Sequence, residues 1–403
     1  MTEDNGDQIA AFYTSHPYPP PVDDLDADAA TWRDGDRRRV EHHRLWPSLP
    51  LRTDHSILVA GCGTAQAART AIRHPGAHVV GIDVSPTSID ATQRLRDRHQ
   101  LTNLEVRLLP IEQVGDLSRR FDHIVCTGVL HHLEDPQVGL RALVDALTPD
   151  GAMHLMVYAT YGRTGVAMMQ DYCRRLGVLA TDGDIAELVT SLRELPAGHP
   201  IRHLLSTAPD FGHHDALADA LLNPRERSYT VPELLALVDD VGLRFARWVR
   251  QAPYRPQCGA LSETPHATRI AELDEADQFA TVELYRGTMT RHAPILYRAD
   301  SPLPDPAVPW DDAWPTYVPL RPSTTAVIDE RLPPGAAAAL MNRAHVDRDL
   351  VLFVDEPNRR IFEAVDGERP LGDIEGATAE FFRRLWWHDL VVIDASGTRD
   401  RSG

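Results

Sequence analysis

Three groups of residues have the types and spacing to do chemistry. The first is Gly61-Cys62-Gly63, which ends a short apolar run, Ile57 to Ala60, and precedes an Ala-rich segment from Ala65 to Ile72. Two glycines between a strand-like run and a helix-like segment leave bare backbone for a ligand to lie against, with exposed N–H groups at the helix mouth. The same pattern also serves as an ordinary tight turn. The second is Asp83, twenty residues after Gly63 and at the end of a second apolar run, Val79-Val80-Gly81-Ile82. At that spacing an acidic side chain reaches a ribose hydroxyl pair; the bland alternative is a solvated loop carboxylate. The third is His131-His132, beyond the run Phe121-Asp122-His123-Ile124-Val125-Cys126 and the segment Thr127-Gly128-Val129-Leu130. A neutral imidazole near pH 7 accepts a proton from a hydroxyl or a protonated amine. Metal binding is disfavoured, because adjacent residues of a helix point apart and no third ligand stands at metal-site spacing. A structural role, with one ring satisfied by backbone, stays open.

The elements that must position these residues alternate. Strands are expected at 56–60, 77–82, 104–109, 121–126 and 152–158, and helices at 64–73, 86–99 and 136–147. Ser85 and Asp135 stand as N-caps ahead of Pro86 and Pro136 at the first helical position, and Thr148-Pro149-Asp150-Gly151 reads as a turn. Strands alternating with helices predict an α/β, doubly wound, mostly parallel sheet with helices on both faces. Ligands then sit beyond the C-terminal strand ends, where Gly61, Gly63, Asp83 and the histidines all fall.

Around this unit the pattern is looser. Residues 1–50 read as an irregular N-terminal extension, apart from a charged helix between Trp32 and Trp46. Within it Phe12-Tyr13-Thr14-Ser15-His16-Pro17-Tyr18 and the prolines after it form either a surface tail or a lid that sets Tyr13, His16 or Tyr18 over a pocket. Residues 51–300 read as one domain, with a helical insertion at about 159–228 (helices at Gly165–Leu176, Asp184–Leu192 and Asp215–Leu222). Helices at Val231–Val241 and Ala267–Gly287 and strands at Arg244–Arg250 and His292–Tyr297 follow. The proline-rich stretch 301–310 marks a linker. The remainder, 311–403, reads as a small α+β module with helices at Pro334–Asn342, Pro357–Val365 and Thr378–His388 and strands at Leu350–Val354 and Leu390–Ile393 forming a terminal hairpin.

Composition narrows the function. The 403 residues carry 59 Asp+Glu against 41 Lys+Arg, a net charge of -18, so a phosphate backbone is repelled and nucleic acid is not the expected partner. No residue is lysine, which removes Schiff-base chemistry. Cys62, Cys126, Cys173 and Cys258 show no disulfide or zinc spacing, and neither a signal pattern nor a membrane-length apolar run is present; the expected location is cytoplasmic.

Taken together, Ile57–Ala65, Asp83, Pro110-Ile111-Glu112, and Phe121-Asp122 through Gly128-Val129-Leu130-His131-His132 resemble the successive motifs of class I S-adenosylmethionine-dependent methyltransferases, over about residues 50–160. The resemblance implies S-adenosylmethionine as cofactor, with Gly61 and Gly63 at its methionine part, Asp83 at the ribose and Ile111 and Glu112 along the adenine. Thr127 onward would lie below the sulfonium, and no metal is implied. His131 or His132 is then the candidate base, and Tyr158, Tyr161 and Arg163 are candidates for the acceptor pocket. Two positions depart from the family pattern. Val59 replaces the usual acid of the first strand, and Ala65 replaces the third glycine.

Residues 357–393 resemble small PqqD-like or winged-helix modules, which bind peptides or partner proteins. The helix bearing Phe381, Phe382, Trp386 and Trp387 has two apolar faces; the second needs either the main domain or a separate carrier or peptide. The expected activity is methyl transfer to a small molecule. The alternatives are a non-catalytic or regulatory cofactor-binding protein, a methyltransferase of a protein or peptide partner, and a nicotinamide-dependent oxidoreductase, against which the short glycine turn and the Gly-Val-Leu-His-His segment argue.

Overall fold

The computed structural model describes residues 5–207, 213–304, 308 and 310–397, so part of the expected linker, 305–307 and 309, lies outside the described residues. Three helices precede the sheet: α1 (Asn5–Ser15), α2 (Asp26–Thr31) and α3 (Gly35–Leu45). The extension is therefore largely helical rather than irregular. Its prolines begin only at Pro17, which leaves the preceding residues free to form α1.

The alternating region forms β1 (Ser56–Ala60), α4 (Gln66–Arg73), β2 (His78–Asp83), α5 (Pro86–Arg98), β3 (Leu104–Leu108), β4 (Phe121–Thr127), α6 (Pro136–Ala146) and β5 (Leu147–Tyr158). These five strands are parallel neighbours in the order β3-β2-β1-β4-β5. The expected 148–151 turn loops out within β5 opposite Asp122, since Phe121 pairs with Leu147 and His123 with Ala152. Strands β6 (Leu243–Trp248), β7 (Arg291–His292) and β8 (Pro294–Arg298) complete an eight-stranded mixed sheet, with β8 antiparallel to both β5 and β6.

Burial on both faces explains the apolar strand runs. Leu58, Val80 and Ile124 turn to the core under α6, with Leu140 and Leu143, while Ile57, Val59 and Val79 turn to the core under α4 and α5. Each such fully buried side chain contributes ~1.5–3 kcal/mol.

The insertion holds α7 (Thr164–Leu176), α8 (Asp182–Arg193), α9 (Ile201–Thr207) and α10 (His214–Leu222) around their own apolar cluster of Met169, Leu188 and Leu217. Helix α11 (Val231–Asp240) opens on a reciprocal cap between Thr230 and Glu233. The single helix expected over 267–287 is two, α12 (His266–Ala271) and α13 (Glu275–Arg286), because the Asp274 side chain accepts the N–H of Asp277 and starts a new one.

In the C-terminal region the helix expected at 334–342 is instead a strand. The order is β9 (Val318–Leu320), β10 (Thr325–Ile328), β11 (Ala338–Asn342), β12 (Val351–Val354), α14 (Glu356–Glu363), α15 (Ala379–Trp387) and β13 (Val392–Asp394). Gly335, at φ +87, breaks the chain direction just before the alanine run, and β11 is held between β10 and β12, so sheet partners override alanine's helical preference. The expected terminal hairpin is absent, since β13 pairs with β9 rather than with β12.

Helix α15 buries Phe382, Leu385 and Trp386 with Phe362 and Leu340. Its C-terminal end is also set against the main sheet domain. Asp389 Oδ2 accepts the N–H groups of Gln251 (2.8 Å) and Ala252 (3.0 Å), and Gln251 Nε2 donates to the Trp386 carbonyl at 3.2 Å. Asp389 faces Arg247 at 3.5 Å and His345 at 3.1 Å. Among the described residues no helix is long and apolar enough to cross a membrane.

Candidate active site

At the C-terminal ends of β1, β4 and β5 lies a cavity of about 530 Å³. Gly61, Gly63, Asp83, Ile111, Glu112 and Thr127 line it, and so do His132, Tyr158 and Arg163. His131 and Tyr161, also expected at the site, do not.

The glycine turn requires glycine. Gly61 and Gly63 have φ of +70 and +53, and a Cβ on Gly61 would stand 2.3 Å from Val129 Cγ2. The N–H groups of Gly61 and Cys62 both donate to the Ile82 carbonyl, at 2.9 and 2.8 Å, tying the turn to the end of β2. Gly63 N–H donates to Asp83 Oδ2 at 2.8 Å, and Ser85 N–H donates to Oδ1 at 2.9 Å. Burial raises the Asp83 pKa against the opposing pull of these backbone donors. A carboxylate with one donor on each oxygen keeps a lone pair on each, enough for two hydroxyls of a diol. Ala65 costs little here. Close approach of α4 to β2 depends instead on Gly81, where a Cβ would meet Ala67 Cβ at 2.6 Å. Val59, buried on the α4 side, does not line the cavity.

The opposite end is roofed by residues from distant parts of the chain. Tyr13 on α1 donates to Asp219 Oδ1 on α10 at 2.7 Å and accepts from Asn223 Nδ2 at 3.1 Å. Tyr158 O–H reaches the other Asp219 oxygen at 3.5 Å. Tyr18 also lines the cavity, and the Thr64 hydroxyl donates to the Pro19 carbonyl at 2.8 Å, holding the N-terminal segment across the glycine turn. His16 stands outside the lining, bound to Asp215 and to the Ala180 carbonyl.

The two histidines sit differently. His132 Nδ1 is 2.7 Å from the Arg225 carbonyl, which only accepts, so Nδ1 carries the proton and Nε2 is left basic. Nε2 is buried and has no hydrogen-bond partner among the described residues. His131 is fully buried behind Tyr158, with ring centroids 3.9 Å apart, and burial first, then His132 and Arg163, push its pKa well below the usual value. Arg163 lies 3.6 Å over the Tyr158 ring, and its Nη2 donates to both Glu226 oxygens at 2.8 and 2.9 Å, which fixes the tyrosine from behind. Tyr161 is 38% exposed and is not among the residues lining the chamber. Asp219, Asn223 and Glu226 escaped the sequence reading. Their partners Tyr13 and Arg163 are 206 and 63 residues away, and no local spacing signals them.

The family described as methyltransferase domain matches residues 58–153, the span of β1 to β5 that carries the glycine turn and Asp83. An uncharacterized protein of Synechococcus sp. is 29% identical over 323 residues, covering 75% of this chain and 73% of that one. The ubiquinone biosynthesis O-methyltransferase of Acinetobacter baylyi is 26% identical over 145 residues, covering 33% of this chain and 59% of that enzyme. Among solved structures, PKMT2 from Rickettsia typhi shares the fold with a TM-score of 0.64 at 14% identity, over 94% of this chain and 77% of that one; its complex with AdoHcy scores 0.63. The matching domain, together with the Rossmann-like sheet and the glycine turn joined to an acidic strand end, supports an S-adenosylmethionine-dependent methyltransferase enzyme.

Proposed function

We propose that the acceptor is a small molecule, methylated at a heteroatom or carbon held between His132, Tyr13, Tyr158 and Asp219. The observation that carries this reading is the Tyr13–Asp219 bond, which joins the N-terminal helix to the insertion and roofs the far end of the cavity. A roofed chamber suits a small acceptor better than a polypeptide or a nucleic acid strand.

In this reading Gly61 and Gly63 receive the methionine part of S-adenosylmethionine, Asp83 its ribose hydroxyls, and Ile111 and Glu112 the adenine. The cosubstrate supplies an already activated methyl group on its sulfonium. The chain's own task is then to align the nucleophile and keep water out. Tyr13, Tyr18 and Asp219 exclude water, Arg163 steadies Tyr158, and Thr127, held by Gln66 Nε2 at 2.8 Å, shapes the floor. His132 Nε2 takes the proton from a hydroxyl or ammonium acceptor as the new bond forms.

Incubation of the full chain with methyl-labelled S-adenosylmethionine and fractionated metabolites tests this reading. Label in a small-molecule fraction supports it; label only in protein or peptide fractions sinks it. A peptide carrier on α15 has less support, because the C-terminal end of that helix is already set against Gln251 and Ala252. Label in any acceptor also disposes of the non-catalytic alternative.

A further inference from the structure

At the roofed end of the cavity stands a buried carboxylate without a counter-charge. Asp219, in the last turn of α10, is 3% exposed and lines the cavity. Ala216 and Asp219 share the cavity face of that helix, while Leu217 and Leu221 turn to the insertion's own apolar cluster. Asp219 Oδ1 accepts the Tyr13 O–H at 2.7 Å and Asn223 Nδ2 at 3.3 Å. Oδ2 meets only the Tyr158 O–H, at 3.5 Å, which is long for a hydroxyl donor. Burial first, then Asp219 itself, raises the pKa of both phenols, so Tyr13 and Tyr158 stay neutral donors.

Among the described residues no arginine or histidine forms an ion pair with Asp219. The cations of the cavity wall are engaged elsewhere. Arg163 is paired with Glu226, the two side chains being 9% and 6% exposed. Arg69 faces Asp28 at 3.5 Å, and Arg73 lies over the Trp32 ring. Arg291 stands exposed at the start of β7, and His16, outside the lining, faces Asp215 at 3.1 Å. Buried charges are ordinarily paired. Between the walls made by Tyr13, Tyr18 and Tyr158, a cation brought to Asp219 is also held more strongly than it is in water.

Resting on the reading of this cavity as an acceptor site, we infer that the acceptor carries an ammonium group, received by Asp219 Oδ2. An ammonium brings N–H donors and the missing charge together. An alcohol leaves the carboxylate without a counter-charge, and an anion is repelled. Tyr13 joins this contact to the base, since its hydroxyl lies on Asp219 and its ring stands edge-on to His132 with centroids 5.8 Å apart. A small amine held at Asp219 therefore sits within one tyrosine side chain of His132. The contact selects acceptors by charge and leaves His132 Nε2 for the proton.

Titration of the full chain, saturated with S-adenosylhomocysteine, with hexylamine, hexanol and hexanoate near neutral pH tests the inference. The three probes share a carbon chain and differ in charge. Hexylammonium is expected to bind about tenfold or more tighter than hexanol, the worth of a hydrogen bond to a charged group, with hexanoate the weakest. Asp219→Asn keeps an oxygen for the Tyr13 O–H and removes the charge, so it should erase the ammonium preference while S-adenosylhomocysteine affinity holds. The comparison of probes on the unaltered chain decides the question even if that variant fails to fold. Equal affinity for amine and alcohol, binding of neither, or a preference that survives Asp219→Asn overturns the inference and leaves the cofactor site standing. Displacement of S-adenosylhomocysteine by hexylammonium is a separate result: the ammonium then occupies the cofactor's own space, and the inference falls together with the acceptor reading it rests on.

Discussion

Asp83 Oδ2 accepts the N–H of Gly63 at 2.8 Å, so the carboxylate placed to meet a ribose also holds the glycine turn in shape. Asp83→Ala removes both functions. It is expected to weaken S-adenosylhomocysteine binding by ~1–3 kcal/mol, the cost of leaving polar groups without partners. Calorimetric titration of the variant measures this, and an unchanged affinity would remove Asp83 from the site.

The base assignment separates two adjacent residues. His132→Gln should lower kcat while leaving S-adenosylhomocysteine affinity intact, by the ~10²–10⁴-fold typical of a lost general base. His131→Gln should act through stability instead, because that ring is packed behind Tyr158. Equal losses of kcat in both variants at unchanged stability would refute the distinction.

Within the cavity the α1 roof meets the insertion through the Tyr13 hydroxyl, while His16 ties the end of the helix to Asp215 outside it. Among the described residues, Tyr13→Phe leaves Asp219 with Asn223 at 3.3 Å and Tyr158 at 3.5 Å. A loss of ~1 kcal/mol of stability follows from the missing hydrogen bond, and turnover should fall as water enters. Denaturant unfolding and steady-state rates check the two effects separately.

Acid should destabilise the fold well above the range where carboxylates titrate. Burial first holds His42 and His123 down to about 3 and His154 to about 4. In the unfolded chain these rings protonate near pH 6.5 while the folded chain keeps them neutral, so the unfolded state binds more protons. Stability present above pH 6.5 is therefore lost as pH falls toward 4 and below. Urea midpoints at a series of pH values across that window measure it; a flat profile would contradict the buried neutral state.

The C-terminal region is held to the sheet domain by a buried charge. Arg247 and Asp389 are 4% and 8% exposed at the side chain, so Asp389→Ala leaves a buried cation without its partner, at a cost of ~3–5 kcal/mol. Truncation after Asp300 should cause aggregation or loss of cofactor affinity, since it uncovers Ala252 and Cys258. A truncated chain that stays soluble and binds normally would count against this.

What could be read from the sequence was what is local. β1, the glycine turn and Asp83 are linked by strand-turn-helix chemistry within a span of twenty residues from Gly63. The roof could not be read this way, because Tyr13 and Asp219 meet across 206 residues. Choosing His132 over His131 needed the backbone path, since the short 3-10 turn at Leu130–His132 sends one ring to the cavity and the other behind Tyr158. The alanines near 338 read as helix because alanine's preference is intrinsic, whereas the partners that make them a strand lie at Thr325–Ile328 and Val351–Val354.

Titration of the full chain with S-adenosylmethionine and S-adenosylhomocysteine tests the central claim most directly. The expected result is saturable binding of both at one site per chain, weakened in Asp83→Ala and preserved in His132→Gln. Absence of any binding heat at millimolar ligand, with the chain folded, would contradict it.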